Sequence, residues 1–180
     1  MRSYFRKFTG VTQSPPRAPM ADVVASWIGG FLGILAVGFL GSMEQLGEEE
    51  LLFLIGSFGA SAVLIYGAPT VPYAQPRNLV GGHVISAAIG VAVFSLLPEP
   101  IYLSGALAVA TAIAAMHLTK TIHPPGGASA LIAVIGGTKV HGLGFLYVLT
   151  PVGAGALIML VVALLVNNLF PQRRYPQFWW

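Results

Sequence analysis

The sequence predicts an all-α fold, a polytopic membrane helical bundle with about six membrane-penetrating segments. Composition is the first ground: hydrophobic residues make up 56% of the chain and charged residues 8%, against roughly 25% charged in soluble globular proteins. The second is patterning, because apolar stretches recur along almost the whole length, separated by short breaks rich in Gly, Pro and charge. The third is where the cations stand, which a membrane topology explains better than a binding stripe does.

Residues 1–20 read as a cytoplasmic N-terminal segment. Arg2, Arg6, Lys7 and Arg17 precede the first apolar run, and Pro15, Pro16 and Pro19 leave no room for the h-region of a signal peptide. Residues 21–170 read as the membrane domain. Its apolar stretches run about 23–43, 51–66, 80–97, 101–118, 127–137 and 143–170. A perpendicular helix needs about 20 residues to cross the hydrocarbon core. The first, fourth and sixth reach or approach that length, the second and third are short, and the fifth is far too short alone. The sixth carries Pro151, which predicts a kink or tilt. Residues 171–180 form a tail in which Tyr175, Phe178, Trp179 and Trp180 read as an interfacial aromatic anchor.

Loop charge supports this division. With the N-terminus inside, Arg2, Arg6, Lys7, Arg17, Arg77, Lys120, Arg173 and Arg174 fall on the inner side. Only Lys139 falls outside, together with Glu44, Glu48, Glu49, Glu50 and Glu99. Eight of the nine cations on one side is the positive-inside pattern, and it places both termini in the cytoplasm. The same distribution argues against a nucleic-acid partner. The absence of cysteine excludes disulfides, thiol catalysis and thiolate metal sites.

Gly59-Ala60-Ser61-Ala62 repeats as Gly127-Ala128-Ser129-Ala130 in the second and fifth stretches. These are the middle members of two triplets, compatible with a 3+3 inverted repeat. A rival match pairs Gly81-Gly82 with Gly126-Gly127.

Chemistry concentrates at two Gly-Gly helix starts. Arg77 and Asn78 precede Gly81-Gly82-His83, and Lys120, His123, Pro124 and Pro125 precede Gly126-Gly127-Ala128-Ser129. Helix N-termini offer free N–H donors and partial positive charge, so these starts together with the nearby cations suit a small anion. Ser61 and Ser129 add hydroxyls. The opposing reading makes the glycines packing contacts and the two cations ordinary interfacial anchors. His123 differs, since Pro124 holds it extended and an ionisable group at membrane depth points to function. His83 and His117 could bind solute, carry protons or cap helices, and His141 reads as an inert residue of a short outer loop.

Metal ligation and catalysis find little support. No HExxH occurs, and Ser129 near His123 lacks the G-x-S-x-G context and an aspartate other than Asp22. The expectation is no enzyme, no cofactor and no metal. Gly29 and Gly33 form a small-xxx-small face, suited to packing within the chain or to a homo-oligomer.

The segment His123-Pro124-Pro125-Gly126-Gly127-Ala128-Ser129-Ala130 resembles the signature of the HPP family of integral membrane proteins. Phe58-Gly59-Ala60-Ser61-Ala62 and Gln75-Pro76-Arg77-Asn78-Leu79-Val80-Gly81-Gly82-His83 match that pattern too, so the resemblance covers about 23 to 170. Members are usually described as four-span proteins, against the six segments counted here. Some cyanobacterial and plastid members are associated with nitrite transport. The resemblance therefore implies a transporter or channel for a small inorganic anion, nitrite first. Some relatives carry a soluble regulatory domain after the membrane part; with Trp180 last, nucleotide regulation in cis is not expected. The expected site is Arg77, Asn78, His83, Lys120, His123 and Ser129, with backbone N–H groups of Gly81, Gly82, Gly126 and Gly127. The expected location is a bacterial inner membrane, with lipid and a second copy as partners. A non-transporting scaffold or subunit is the competing reading.

Overall fold

The computed structural model describes residues 6–8, 12–43 and 56–180. Arg2, Glu44, Glu48, Glu49, Glu50 and the start of the second apolar stretch lie outside them. The described residues form helices α1 (Met20–Met43), α2 (Gly56–Gly67), α3 (Pro76–Leu96), α4 (Ile101–Leu118), α5 (Pro124–Ile135), α6 (Gly137–Leu143) and α7 (Val148–Asn168), with no strand among them. Four helices, α1, α3, α4 and α7, are long and apolar enough to cross a membrane; α2 and α5 are shorter apolar helices. Their lengths refine the predicted stretches. The third begins at Pro76 and not at 80, since Gln75 is extended and Pro76 opens the helix at N1. The sixth begins later than predicted: α6 ends at Leu143, Gly144 follows with φ +52°, and α7 is interrupted at Thr150, which is extended before Pro151.

The helices pack through small residues. On α1, Ala25, Gly29, Gly33, Val37 and Gly41 are buried at a spacing of four, while Trp27, Phe31 and Phe39 are exposed. The Tyr66 ring from α2 fills the groove over Gly29 and Gly33; a Cβ on Gly29 would stand 2.5 Å from Tyr66 Cδ1. The small-xxx-small face thus serves a contact within the chain. The α3–α5 pair is the most extensive helix contact, and α1 packs along α7.

Long-range bonds gather one end of the bundle. Arg173, beyond α7, pairs with Asp22 of α1 at 2.7 Å and donates to the Tyr66 carbonyl of α2 at 2.8 Å. Tyr175 donates its hydroxyl to the Ala74 carbonyl before α3 at 2.7 Å, and Gln177 N–H donates to Gln75. Asn78 at the start of α3 donates to the Ile122 carbonyl between α4 and α5. The starts of α1, α3 and α5 and the ends of α2, α4 and α7 therefore share this face. At the other end, the His141 ring stacks on Phe94 at 3.7 Å and donates to the Val134 carbonyl. His141 lies on a helix and not in a loop, and it ties α6 to the ends of α3 and α5.

The tail also departs from the anchor expected of it. Tyr175 is buried, and Phe178 lies under the Arg77 guanidinium, 5.6 Å from its centre, so the tail folds back over the start of α3. Trp179 and Trp180 stay exposed.

Candidate functional site

The centre of α2, α3 and α5 holds a chain of buried polar side chains. His83 lies two turns into α3, about 10 Å from its start at 1.5 Å per residue. His123 is the extended residue before the Pro-Pro start of α5 (φ −141°, ψ 104°), as the proline restriction dictates. Both rings are 0% exposed, and their centroids lie 4.9 Å apart. Phe58 also packs on His83, with ring centroids 4.9 Å apart.

Serines join the rings. Ser61 Oγ lies 2.7 Å from His83 Nε2 and 2.8 Å from His123 Nε2. Ser129 Oγ lies 2.7 Å from His83 Nδ1 and 3.1 Å from Ser57 Oγ. Ser57 also donates to the Pro125 carbonyl at 3.0 Å. His123 Nδ1 donates to the Tyr73 carbonyl at 2.8 Å, and Tyr147 donates its hydroxyl to the Ser129 carbonyl. A buried polar group left without a partner costs about 1–3 kcal/mol, and every member of this chain has partners.

Close backbone approach makes the chain possible. A Cβ on Gly82 would stand 2.5 Å from His123 Cβ and 2.8 Å from the Thr121 carbonyl oxygen; one on Gly126 would stand 2.7 Å from the Gly82 carbonyl oxygen. Glycine at these two positions lets α3 and the start of α5 touch, which brings His83 and His123 into reach of one serine.

The predicted residues separate into three groups. His83, His123 and Ser129 meet in the chain. Arg77 and Lys120 do not: Arg77 lines an apolar pocket of about 350 Å³ with Pro76, Val80 and Trp179, and Lys120 is exposed. Lys120 has φ +59°, and the Thr121 N–H returns to the Met116 carbonyl, so it closes α4 as a left-handed cap. Asn78 spends its amide on Ile122 while its Oδ1 stays buried without a partner. The glycine N–H groups form the third set. Gly81 and Gly82 lie beyond the four free donors of a helix that starts at Pro76. At α5 two of the first four positions are prolines, and the Gly126 N–H donates to the His123 carbonyl at 2.8 Å. Gly81, Gly82 and Gly126 lie in close helix contacts, where a Cβ would stand under 3 Å from a neighbour, while one on Gly127 would meet Val109 at 3.8 Å. His117 is exposed on the last turn of α4, apart from the chain.

Sequence reasoning missed Ser57 and Tyr147. Ser57 had a usable signal, standing four residues before Ser61 on the same helix face. Tyr147 had none, because it reaches Ser129 only through the fold.

The model of the HPP transmembrane region matches residues 15–176. The chain belongs to the HPP family. Two curated Dictyostelium discoideum transmembrane proteins are similar to it: one is 48% identical over 98% of this chain and 57% of its own length, the other 42% identical over 98% and 63%. This HPP chain therefore spans about three fifths of the length of those curated relatives, which are named only as transmembrane proteins. No solved structure matches it. The HPP assignment and the four long apolar helices make the chain a membrane protein. The bacterial membrane expected from the sequence gains no support from these eukaryotic relatives.

Proposed function

We propose that this HPP protein moves a small inorganic anion, nitrite first, across its membrane through the site around His83 and His123. The observation that carries the reading is the pair of wholly buried imidazoles linked by serines inside an apolar bundle. Intramembrane ionisable residues are costly and mark solute or proton pathways. Choice of nitrite rests on the family resemblance alone. The site is narrower than the one read from sequence: His83, His123 and Ser129, joined by Ser57 and Ser61. Arg77 and Lys120 act at the shared bundle end, raising the local anion concentration.

The six-segment topology belongs to the same reading. One bundle end collects the start or end of each of α1 to α5 and α7. That supports six passages with both termini on one side, and the cation distribution favours the cytoplasm. An inverted repeat gains support from the matched serines, Ser61 and Ser129, which bond opposite nitrogens of His83. Lipid covers the exposed face of α1, and assembly as a homo-oligomer is part of the proposal. Catalysis is not part of it.

Nitrite uptake into proteoliposomes tests the reading, comparing wild type with His123→Gln. Saturable uptake that the folded variant loses supports it. Folded wild-type protein that moves no anion, while co-purifying with one partner, replaces it with the scaffold reading.

A further inference from the structure

The hydrogen-bond chain is directional, and its direction follows from one backbone carbonyl. The Tyr73 oxygen can only accept, so His123 carries its hydrogen on Nδ1. A neutral His123 then accepts at Nε2, and the hydrogen it accepts is that of Ser61. With its one hydrogen committed, Ser61 accepts from His83 Nε2–H. His83 Nδ1 is left as an acceptor and takes the Ser129 hydrogen. Ser57 has its one hydrogen on the Pro125 carbonyl, so it gives none to Ser129 Oγ, 3.1 Å away. The two histidines must therefore be opposite tautomers, and every donor in the chain points toward Tyr73.

We propose that Ser129, His83, Ser61 and His123 relay one proton, so that a proton accompanies each anion. This rests on the transport reading above and deepens it. The bookkeeping closes without moving a heavy atom far. A proton arriving at Ser129 Oγ, from the acid form of the anion or from hydronium, displaces the Ser129 hydrogen onto His83 Nδ1. The His83 Nε2 hydrogen passes to Ser61, and the Ser61 hydrogen passes to His123 Nε2. One O–H bond forms at Ser129 as its old one breaks, and the positive charge ends on His123. Every link from Ser129 to His123 then points the other way, with His123 Nε2–H donating to Ser61, Ser61 to His83, and His83 Nδ1–H to Ser129, while His123 Nδ1–H stays on the Tyr73 carbonyl. The reverse sequence releases the proton at Ser129.

The surroundings suit a mobile proton better than a fixed ion pair. Among the described residues, the titratable side chains facing the relay are the two histidines themselves and Tyr147, which is committed to the Ser129 carbonyl. Arg77 of α3 is turned to Phe178, and Lys120 is exposed. The described carboxylates are engaged elsewhere, Asp22 by Arg173 and Glu99 by the Ile101 N–H. A proton on the relay has no resident counter-charge among the described residues, so a monovalent anion in the site is its natural partner. Paired, the two avoid most of the cost of placing a single charge in a low-dielectric interior.

Two measurements test this on the full chain. The first is nitrogen-15 NMR of the imidazoles in lipid nanodiscs at pH 7.5, simplified by a total of four histidines and assigned with His→Gln variants. Nδ1–H on His123 with Nε2–H on His83 is expected; the same tautomer on both overturns the relay. The second records nitrite uptake and internal acidification together, after subtracting protein-free vesicles. Wild type should take up protons and nitrite in a ratio near one. Ser61→Ala should bring the ratio toward zero, and Ser61→Thr, which keeps the hydroxyl, should restore it. Nitrite uptake without protons in the wild type sinks the coupling and leaves the transport reading standing. If folded protein moves no nitrite, coupling falls with that reading, and the tautomers alone decide whether the chain is polarised as assigned.

Discussion

Two buried polar regions of this protein differ in what their hydrogen bonds can do. At the shared bundle end, the Arg173 side chain is 5% exposed and donates to Asp22, Ser26, Tyr66 and Asn167. Guanidinium only donates and does not lose its proton, so these bonds have one arrangement. They clasp α1, α2 and α7 together. The chain around His83 uses groups that both donate and accept, and it has two self-consistent arrangements. Burial alone therefore does not mark function here. A polar cluster locked in one protonation state holds the fold, and one that can invert can carry a solute or a proton.

Breaking each region in turn should separate stability from uptake. Arg173→Ala is expected to have the largest effect on stability, roughly 3 kcal/mol or more, because Asp22 and two carbonyls lose a buried partner. Thermal unfolding in detergent reads it, and molecules that still fold should keep transporting. Unchanged stability would show that the clasp is ornamental. His123→Gln should do the reverse. Loss of a bond worth about 1.5–3 kcal/mol in the charged state corresponds to a roughly tenfold to hundredfold loss of nitrite uptake, with a far smaller shift in unfolding temperature.

Gly82→Ala should move stability and uptake together. Its Cβ would collide with His123 and Thr121, and overpacking of this kind costs about 1–3 kcal/mol. Stability and uptake should both fall, since the contact that holds α3 against α5 also aims His123. Ser86→Ala sharpens the comparison at its quiet edge. Ser86 Oγ is buried one turn from His83 without a hydrogen-bond partner, so its removal should be neutral or stabilise by less than about 1 kcal/mol. Uptake lost in that variant would extend the site to Ser86. Lys120→Ala should change stability by no more than about 0.5 kcal/mol, as an exposed substitution does. Its effect on uptake should appear at low ionic strength and fade with salt.

Much of the chain was legible in advance. Composition and run length marked the apolar helices, because in lipid the backbone must satisfy itself within each segment. His123 before Pro-Pro announced an extended, fixed residue, and it is one. His83 and Ser129 were picked from their place at the two Gly-Gly helix starts, and the fold brings them within hydrogen-bond distance. The anion cradle of glycine amides was misplaced, since α3 starts at Pro76, a turn and more before Gly81. Periodicity could not locate that start, because Pro76, Arg77 and Asn78 do not extend an apolar run. His141 was set aside because a short loop and a short helix look alike at seven residues.

What the sequence determined by itself is local: helical segments of a given length, their breaks at Pro and Gly, and an extended His123. These follow from backbone sterics and from the cost of bare peptide groups in lipid, which act within a few residues. Only the tertiary structure decided that Ser61 stands between His83 and His123 and that Tyr73 offers its carbonyl to His123 Nδ1. Those partners lie tens of residues apart, and their meeting depends on helix crossings set by small residues such as Gly82 and Gly126. The direction of each hydrogen bond, and with it the chemistry, is a property of that crossing.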